Sequence, residues 1–438
     1  DGEEEEEETL EQRLEALMAR VQPCSTSYAA SLAQSTERQR IETFGGKWTP
    51  LKGLRLAVRP PRDDDCVLLV SNCLQSPDSD QESSYWAIQR AGHRVSPTFA
   101  THSRQRACSH AVCIPYVDQP GKAADLEYQV AASGAGSATR CSVSAERQRR
   151  QLVAATFPAG QCAWIEDDGA QSVEPGLWRD VEDFCEVATT LPGDKVLVLC
   201  TMRYAANWAS ERNRGRFTVV RDDTGLDGWH DRGLQSVRAL APGLTRTLVM
   251  ATVDDPPPGP HVYRVRAAVT AGAETGVTNA LQGDRQLALI RLPAGVVVGP
   301  SRAEGPVTID EPRWTEVPGL EVSVTLKKPR DRVLIVYHLD CNPLGYSYEA
   351  HFSVFRRSSS GAICNLGYSD DFGTDMVTSE YAASSEFPAG LLCDAPGSLG
   401  PHVYYVAARA ANTGTSTESP AVVVGHSGSV SAVVLAAR

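Results

Sequence analysis

His261 and His402 sit in matching strings, Pro260-His-Val-Tyr263 and Pro401-His-Val-Tyr404. An imidazole can move a proton or bind a metal. Here no other ligands recur with the two histidines, and duplication copies structural residues as readily as functional ones, so both are read as structural. Asp370, Asp371 and Asp375 flank Gly373 and carry the oxygen chemistry calcium prefers, but their spacing does not match the twelve-residue calcium loop. They read as a solvated loop, and Asp222-Asp223-Thr-Gly reads as a turn. Gly-x-Ser-x-Gly, Gly-x-x-x-x-Gly-Lys and a strand-linked Gly-x-Gly-x-x-Gly are all missing. The expectation from motifs is therefore no enzyme, with no catalytic, cofactor-binding or metal residues and no cofactor. Paired carboxylates for glycoside cleavage depend on spatial separation, which a sequence does not display.

Cysteine usage points the same way. Of twelve cysteines, Cys108 and Cys113 lie close together, but no second pair follows at zinc-ligand spacing. Cys66 and Cys200 border apolar runs, where a thiol acts as a small hydrophobe. The cysteines do not recur at matching positions, so they read as free thiols, and the compartment stays open. The chain opens on Asp1, so the expectation is either a removed targeting segment leading to an organelle or a late start, with secretion as the alternative. Net charge is −12, with Glu3 to Glu8 unbroken and no basic stripe, which argues against nucleic acid as a partner. Apolar runs such as Gly295 to Gly299 are far short of a membrane span.

The elements that hold these residues recur. Trp48-Thr-Pro-Leu51-Lys-Gly-Leu54, Trp178-Arg-Asp-Val181-Glu-Asp-Phe184 and Trp314-Thr-Glu-Val317-Pro-Gly-Leu320 open three copies of one pattern. Each leads, at nearly constant spacing, to an Asp and an apolar strand: Asp65 with Val67 to Val70, Asp194 with Val196 to Leu199, Asp331 with Val333 to Val336. Next come blocks from Trp86 to Arg90, Phe217 to Arg221 and Phe352 to Arg356, then blocks around Tyr128, Tyr263 and Tyr404. Arg150-Gln-Leu152 and Arg285-Gln-Leu287 close the first two copies, and Val430 to Leu435 closes the third. Order and spacing kept together signal duplication. Period-two alternation in Leu54 to Val58 and Leu320 to Val324 marks half-buried strands, and Gly and Pro punctuate the gaps.

The predicted fold is all-β: three tandem antiparallel β-sandwich, jelly-roll-like domains at 46–160, 161–296 and 297–438. Trp48, Trp86, Tyr128, Trp178, Phe217, Tyr263, Trp314, Phe352 and Tyr404 are the expected repeat core. The order of these blocks resembles that of C1q/TNF-like jelly-roll domains. The resemblance implies compact trimers that bind proteins or glycans, and three copies in one chain could form such a trimer intramolecularly.

Residues 1–45 precede the copies. Leu10, Leu14, Leu17, Met18 and Val21 make one apolar stripe on a short amphipathic helix over Thr9–Val21, with Thr9 and Gln12 as a capping box. Ser25 to Gly46 reads as linker. A helix of about 13 residues is marginal alone in water, so the stripe is expected to lie on its own first domain or on a partner. Together these features suggest a non-catalytic structural or accessory protein that binds other proteins of an assembly through its sandwich surfaces and helix. The alternative is a secreted or surface-exposed recognition module for glycan or receptor.

Overall fold

The computed structural model describes residues 28–37, 39–43, 47–77, 82–103, 110–134, 139–143, 149–206, 214–226, 233–238, 245–270, 279–344, 348–367, 373–379, 388–412 and 421–437. Among them the only helical element is a 3-10 turn, Ala159–Gln161. The helix expected over Leu10 to Val21 lies outside the described residues.

Seven principal strands recur three times in one order. The first sandwich holds β1 (Ala29–Ser35), β2 (Thr49–Val58), β3 (Cys66–Pro77), β4 (Glu82–Arg90), β5 (His110–Asp118), β6 (Leu126–Gly134) and β7 (Arg150–Phe157). The second holds β8 (Cys162–Asp167), β9 (Arg179–Thr190), β10 (Lys195–Ala206), β11 (Arg214–Arg221), β12 (Thr245–Asp254), β13 (Gly259–Thr270) and β14 (Asn279–Leu292). The third holds β15 (Val297–Arg302), β16 (Thr315–Leu326), β17 (Arg332–Leu344), β18 (Tyr348–Ser358), β19 (Ala389–Asp394), β20 (Gly400–Asn412) and β21 (Ala421–Ala437). In the first sandwich the inner sheet runs β1-β7-β3-β5 and the outer sheet β2-β6-β4; the other two repeat both orders. Most connections cross from one sheet to the other, which is jelly-roll wiring.

The strands follow from their side chains. In β2, Leu54, Leu56 and Val58 point inward while Arg55 faces solvent, the half-buried alternation. In β3, by contrast, Cys66 through Leu74 are buried without a break, as β7 is along its length. A strand buried on both faces is apolar along most of its length, and buried polar members such as Asn72 and Gln151 need hydrogen-bond partners.

The repeated Trp-led motif builds a bulge. Pairing of β2 with β6 shifts so that Leu51 to Leu54 stand opposite Val130 alone; Val181 to Phe184 face Val265, and Val317 to Leu320 face Val406 in the same way. The extra residues turn both flanking apolar side chains inward. The chain must pass through positive φ to do so, at Gly53 (73°), Asp183 (52°) and Gly319 (80°). The Asp before each β3-type strand closes the preceding turn. Asp65, Asp194 and Asp331 accept hydrogen bonds from the N–H of Arg62, Leu191 and Lys328 at 3.0, 3.0 and 3.2 Å.

One reading needs correction. Ala29–Ser35 lies within the expected linker, yet it is a strand. Its small residues give little signal of their own, and pairing supplies the order. It is antiparallel to β7 along its length and parallel to β21 at Ala29↔Ala436 and Ala30↔Ala437.

A methyl at Gly319 would meet the Arg302 carbonyl and sit at an unfavourable φ. Gly319→Ala should cost about 2–3 kcal/mol in denaturant unfolding. Asp183→Gly, at the matching position, should stay within about 1 kcal/mol of wild type. Equal losses in both variants would contradict this account of the bulge.

Candidate functional site

The outward faces of the three inner sheets meet in one apolar core. Leu68 and Val70 of β3, Leu197 and Leu199 of β10, and Leu334 and Val336 of β17 all belong to it and are nearly inaccessible. They occupy matching registers: Leu68, Leu197 and Leu334 stand opposite Ala155, Ile290 and Val433. Each such side chain contributes roughly 1.5–3 kcal/mol when fully buried.

Polar groups at the rim of this core link the sandwiches at two of their three contacts. Gln286 of β14 treats the edge strand β5 as a ladder partner, accepting from Val117 N–H at 2.8 Å and donating to Val117 C=O at 2.9 Å. Gln151, its counterpart on β7, accepts from Cys393 N–H on the edge strand β19 at 2.8 Å. Asn72 donates to the Leu391 carbonyl of the same edge. The second sandwich thus clasps the first, and the first clasps the third. In the third the matching residue is Ser429, whose hydroxyl lies 3.2 Å from His338 Nδ1 within its own sandwich.

Within each sandwich a second buried network joins the two sheets. Arg90 and Tyr128 both donate to Asp118 Oδ2, at 2.7 and 2.6 Å. Arg221 and Tyr263 do the same to Asp254 at 2.6 and 2.8 Å, and Arg356 and Tyr404 to Asp394 at 2.7 and 2.9 Å. Burial, then the neighbouring carboxylate, pushes all three tyrosine hydroxyls far up, so they remain donors. Breaking such a pair leaves a buried charge, so these triads fix the geometry of the two sheets.

The histidines lock turns. His261 Nε2 bonds the Pro257 carbonyl at 2.7 Å, and His402 Nε2 bonds the Ser398 carbonyl at 3.1 Å. His261 Nδ1 also meets Asp222 Oδ2 at 2.6 Å. Burial raises the Asp222 carboxyl, but hydrogen bonds from His261 and Val262 N–H outweigh it and leave the group below its ordinary value.

Of the expected repeat core, Trp86, Tyr128, Phe217, Tyr263, Phe352 and Tyr404 are fully buried. Trp48, Trp178 and Trp314 are half-buried at the rim; Trp178 and Trp314 pack against turns at Gly233 and Gly373. Asp370 and Asp371 lie outside the described residues. The helix stripe does too. Among the described residues no three His, Cys, Asp or Glu side chains gather as metal ligands. Sequence reasoning passed over Asp118, Asp254 and Asp394. Their signal was an Asp closing an apolar run nine or ten residues before the strand Tyr.

Replacing Gln286 with Leu strands two backbone groups of Val117, each worth about 1–3 kcal/mol. We expect a loss of roughly 2–4 kcal/mol and faster hydrogen exchange at the Val117 amide; unchanged exchange there would rule out the clasp. Asp222 contributes stability above the ordinary carboxylate value of 3.8, and that contribution fades as pH falls through its lower folded value. Urea unfolding should therefore separate wild type from Asp222→Asn at neutral pH and bring them together in strong acid. A gap independent of pH would exclude this linkage.

No family model and no curated protein matches the chain. Similar solved structures include N-glycanase F (PNGase F) at TM-score 0.25 and 10% identity, over 58% of this chain and 96% of that one. They also include the CBM22-1-CBM22-2 tandem domain from Paenibacillus barcinonensis Xyn10C, at 0.19 and 11%, over 62% and 93%. A triple jelly-roll structure from an archaeal virus aligns at 0.17 and 8%, over 93% and 92%. The expectation of no enzyme is not upheld: the similar structures include, besides N-glycanase F, a peptide-N(4)-(N-acetyl-beta-D-glucosaminyl) asparagine amidase, also at TM-score 0.25 and 10% identity. Fold does not fix function, and a linear motif search misses a site assembled from separate strands.

Proposed function

We propose that the chain is a structural or accessory protein that binds partner proteins within a larger assembly. In this reading its three tandem sandwiches, C1q/TNF-like in strand order, close on one another as an intramolecular pseudo-trimer. The shared apolar core, with its two glutamine clasps, carries the proposal. Head-to-tail contacts that close make a ring, and those that fail to close make filaments. The inner sheets are spent on that contact, which leaves outer faces and loop tips for partners. Charged pairs such as Arg55–Glu127, Arg266–Asp180 and Arg357–Glu316 lie on those outer faces and suit a protein surface. The stripe Leu10, Leu14, Leu17, Met18 and Val21 serves as a docking arm. Among the described residues no helix is long and apolar enough to cross a membrane.

Two measurements test this. Small-angle scattering should give a radius of gyration near roughly 22 Å, the value for a compact chain of this length; sandwiches strung in a row would give a much larger one. Deleting Asp1 to Val21 should leave the β fold intact and weaken co-purification with native partners. Undiminished co-purification would remove the docking arm from the proposal.

A further inference from the structure

Each β3-type strand is entered through the same Asp-closed turn, but the three turns carry different charge. In Arg62-Asp63-Asp64-Asp65 the cation is answered within the turn, with Arg62 paired to Asp64 at 3.8 Å and Asp65 at 2.9 Å. Leu191-Pro-Gly-Asp194 has no cation. The third turn, Lys328-Pro-Arg-Asp331, is preceded by Lys327, and Lys327, Lys328 and Arg330 are all exposed. None of these three side chains makes an ion pair among the described residues. The carboxylate in the turn, Asp331, is buried, where it accepts from Lys328 N–H. Leu326 pairs with Gly400, which places Leu399, 55% exposed, beside the cations. This surface offers three unopposed positive charges next to an exposed leucine.

The chain itself holds a matching segment. Glu3 to Glu8 is an unbroken run of carboxylates, and Leu10 follows it almost at once. The described residues begin at Tyr28, whose carbonyl accepts from Ala436 N–H, and Ala436 follows Leu435, the partner of Arg332. Since β1, β21 and β17 are neighbours in that order, the arm joins the fold two strand spacings, roughly 10 Å, from the strand that the basic turn opens. Even a wholly helical path from Glu8 to Tyr28 covers roughly 30 Å, so reach is not limiting.

We propose that the acidic run Glu3 to Glu8 docks intramolecularly on the basic turn from Lys327 to Arg330 of the third sandwich. A single exposed ion pair is weak, but a tether this short holds the run near the turn at roughly millimolar effective concentration, so several contacts act together. The contact is electrostatic and loosens as salt shortens the screening length. It goes beyond the assembly reading and does not rest on it: the run docks whether or not the apolar stripe meets a partner.

The test uses the dilute full-length chain at low salt, treated with a carbodiimide, which joins a carboxylate to a lysine amine when the two are in contact. The monomer fraction is then peptide-mapped. The expected product links the peptide bearing Glu3 to Glu8 with Lys327 or Lys328, and its yield falls by about fivefold or more in molar salt. Arg330→Glu keeps both lysines and Asp331, and should lower the yield by about threefold or more. Replacing Glu3 through Glu8 with Gln should speed acetylation of Lys327 and Lys328 by about twofold or more, with exposed Lys122 of the first sandwich unchanged. Linkage mainly to Lys47, Lys52, Lys122 or Lys195, no linkage at all, or a yield indifferent to salt and to Arg330→Glu would overturn the proposal. Linkage confined to dimers would also overturn it, making a second copy's run the occupant. Cross-linking reports where the run rests and co-purification reports partner binding, so failure of this proposal is distinguishable from failure of the docking arm.

Discussion

An edge strand presents a row of unpaired N–H and C=O groups, and leaving them buried without partners costs free energy at every residue. In this chain the edges β5 and β19 are pressed against a neighbouring sandwich instead of water. The amide of Gln286 answers with both a donor and an acceptor at Val117, as another strand would. Much of the architecture follows from that constraint. Once the edge is satisfied by a side chain from next door, the inner sheet can be apolar on both faces. Unbroken runs such as Val67 to Val70 and Val196 to Leu199 then become tolerable.

The three contacts are related but not identical. The first and second sandwiches are joined by the turn Ala159–Gln161, and the second and third by the short step from Leu292 to Val297. The first and third share no such step. There the chain uses hydrogen bonds: β1 pairs in parallel with β21, and Ala436 N–H donates to the Tyr28 carbonyl at 2.7 Å. The two inner sheets become one of eleven strands. The glutamine is replaced by Ser429 at the contact of the third sandwich with the second, which retains covalent connection.

Much of this was legible in the sequence, for a physical reason. Period-two alternation in Leu54 to Val58 and the paired apolar residues of each Trp-led motif reflect local backbone demands, which adjacent residues must meet. Asp65, Asp194 and Asp331 act on residues three positions away. The groups that were missed act at a distance. Gln286 bonds a residue 169 positions earlier, and Gln151 one 242 positions later, so nothing adjacent reveals their task. Ala29–Ser35 failed for a related reason, since its strand character is imposed by neighbours on both sides. The exclusion of catalysis was the weakest inference, because it equated missing motifs with missing chemistry.

One outer-sheet position where the copies differ tells how such a frame is put to use. Gln89 faces Gln129, Val220 faces Arg264 and Phe355 faces Tyr405 at one matching cross-strand position on the outer sheets. In the first the two amides hydrogen-bond at 2.9 Å; in the third Phe355 and Tyr405 stack at 5.5 Å between centroids, with Arg357 over Tyr405 and Trp314 against Phe355. Inward-facing counterparts, the Asp-Tyr-Arg triads, are kept in all three copies. Identical chains in a trimer must present one face three times, whereas copies fused in one chain keep the common interior and are free to diverge outside. Divergence on the outer face beside triads kept inside is what selection on the surface, under a shared interior framework, leaves behind.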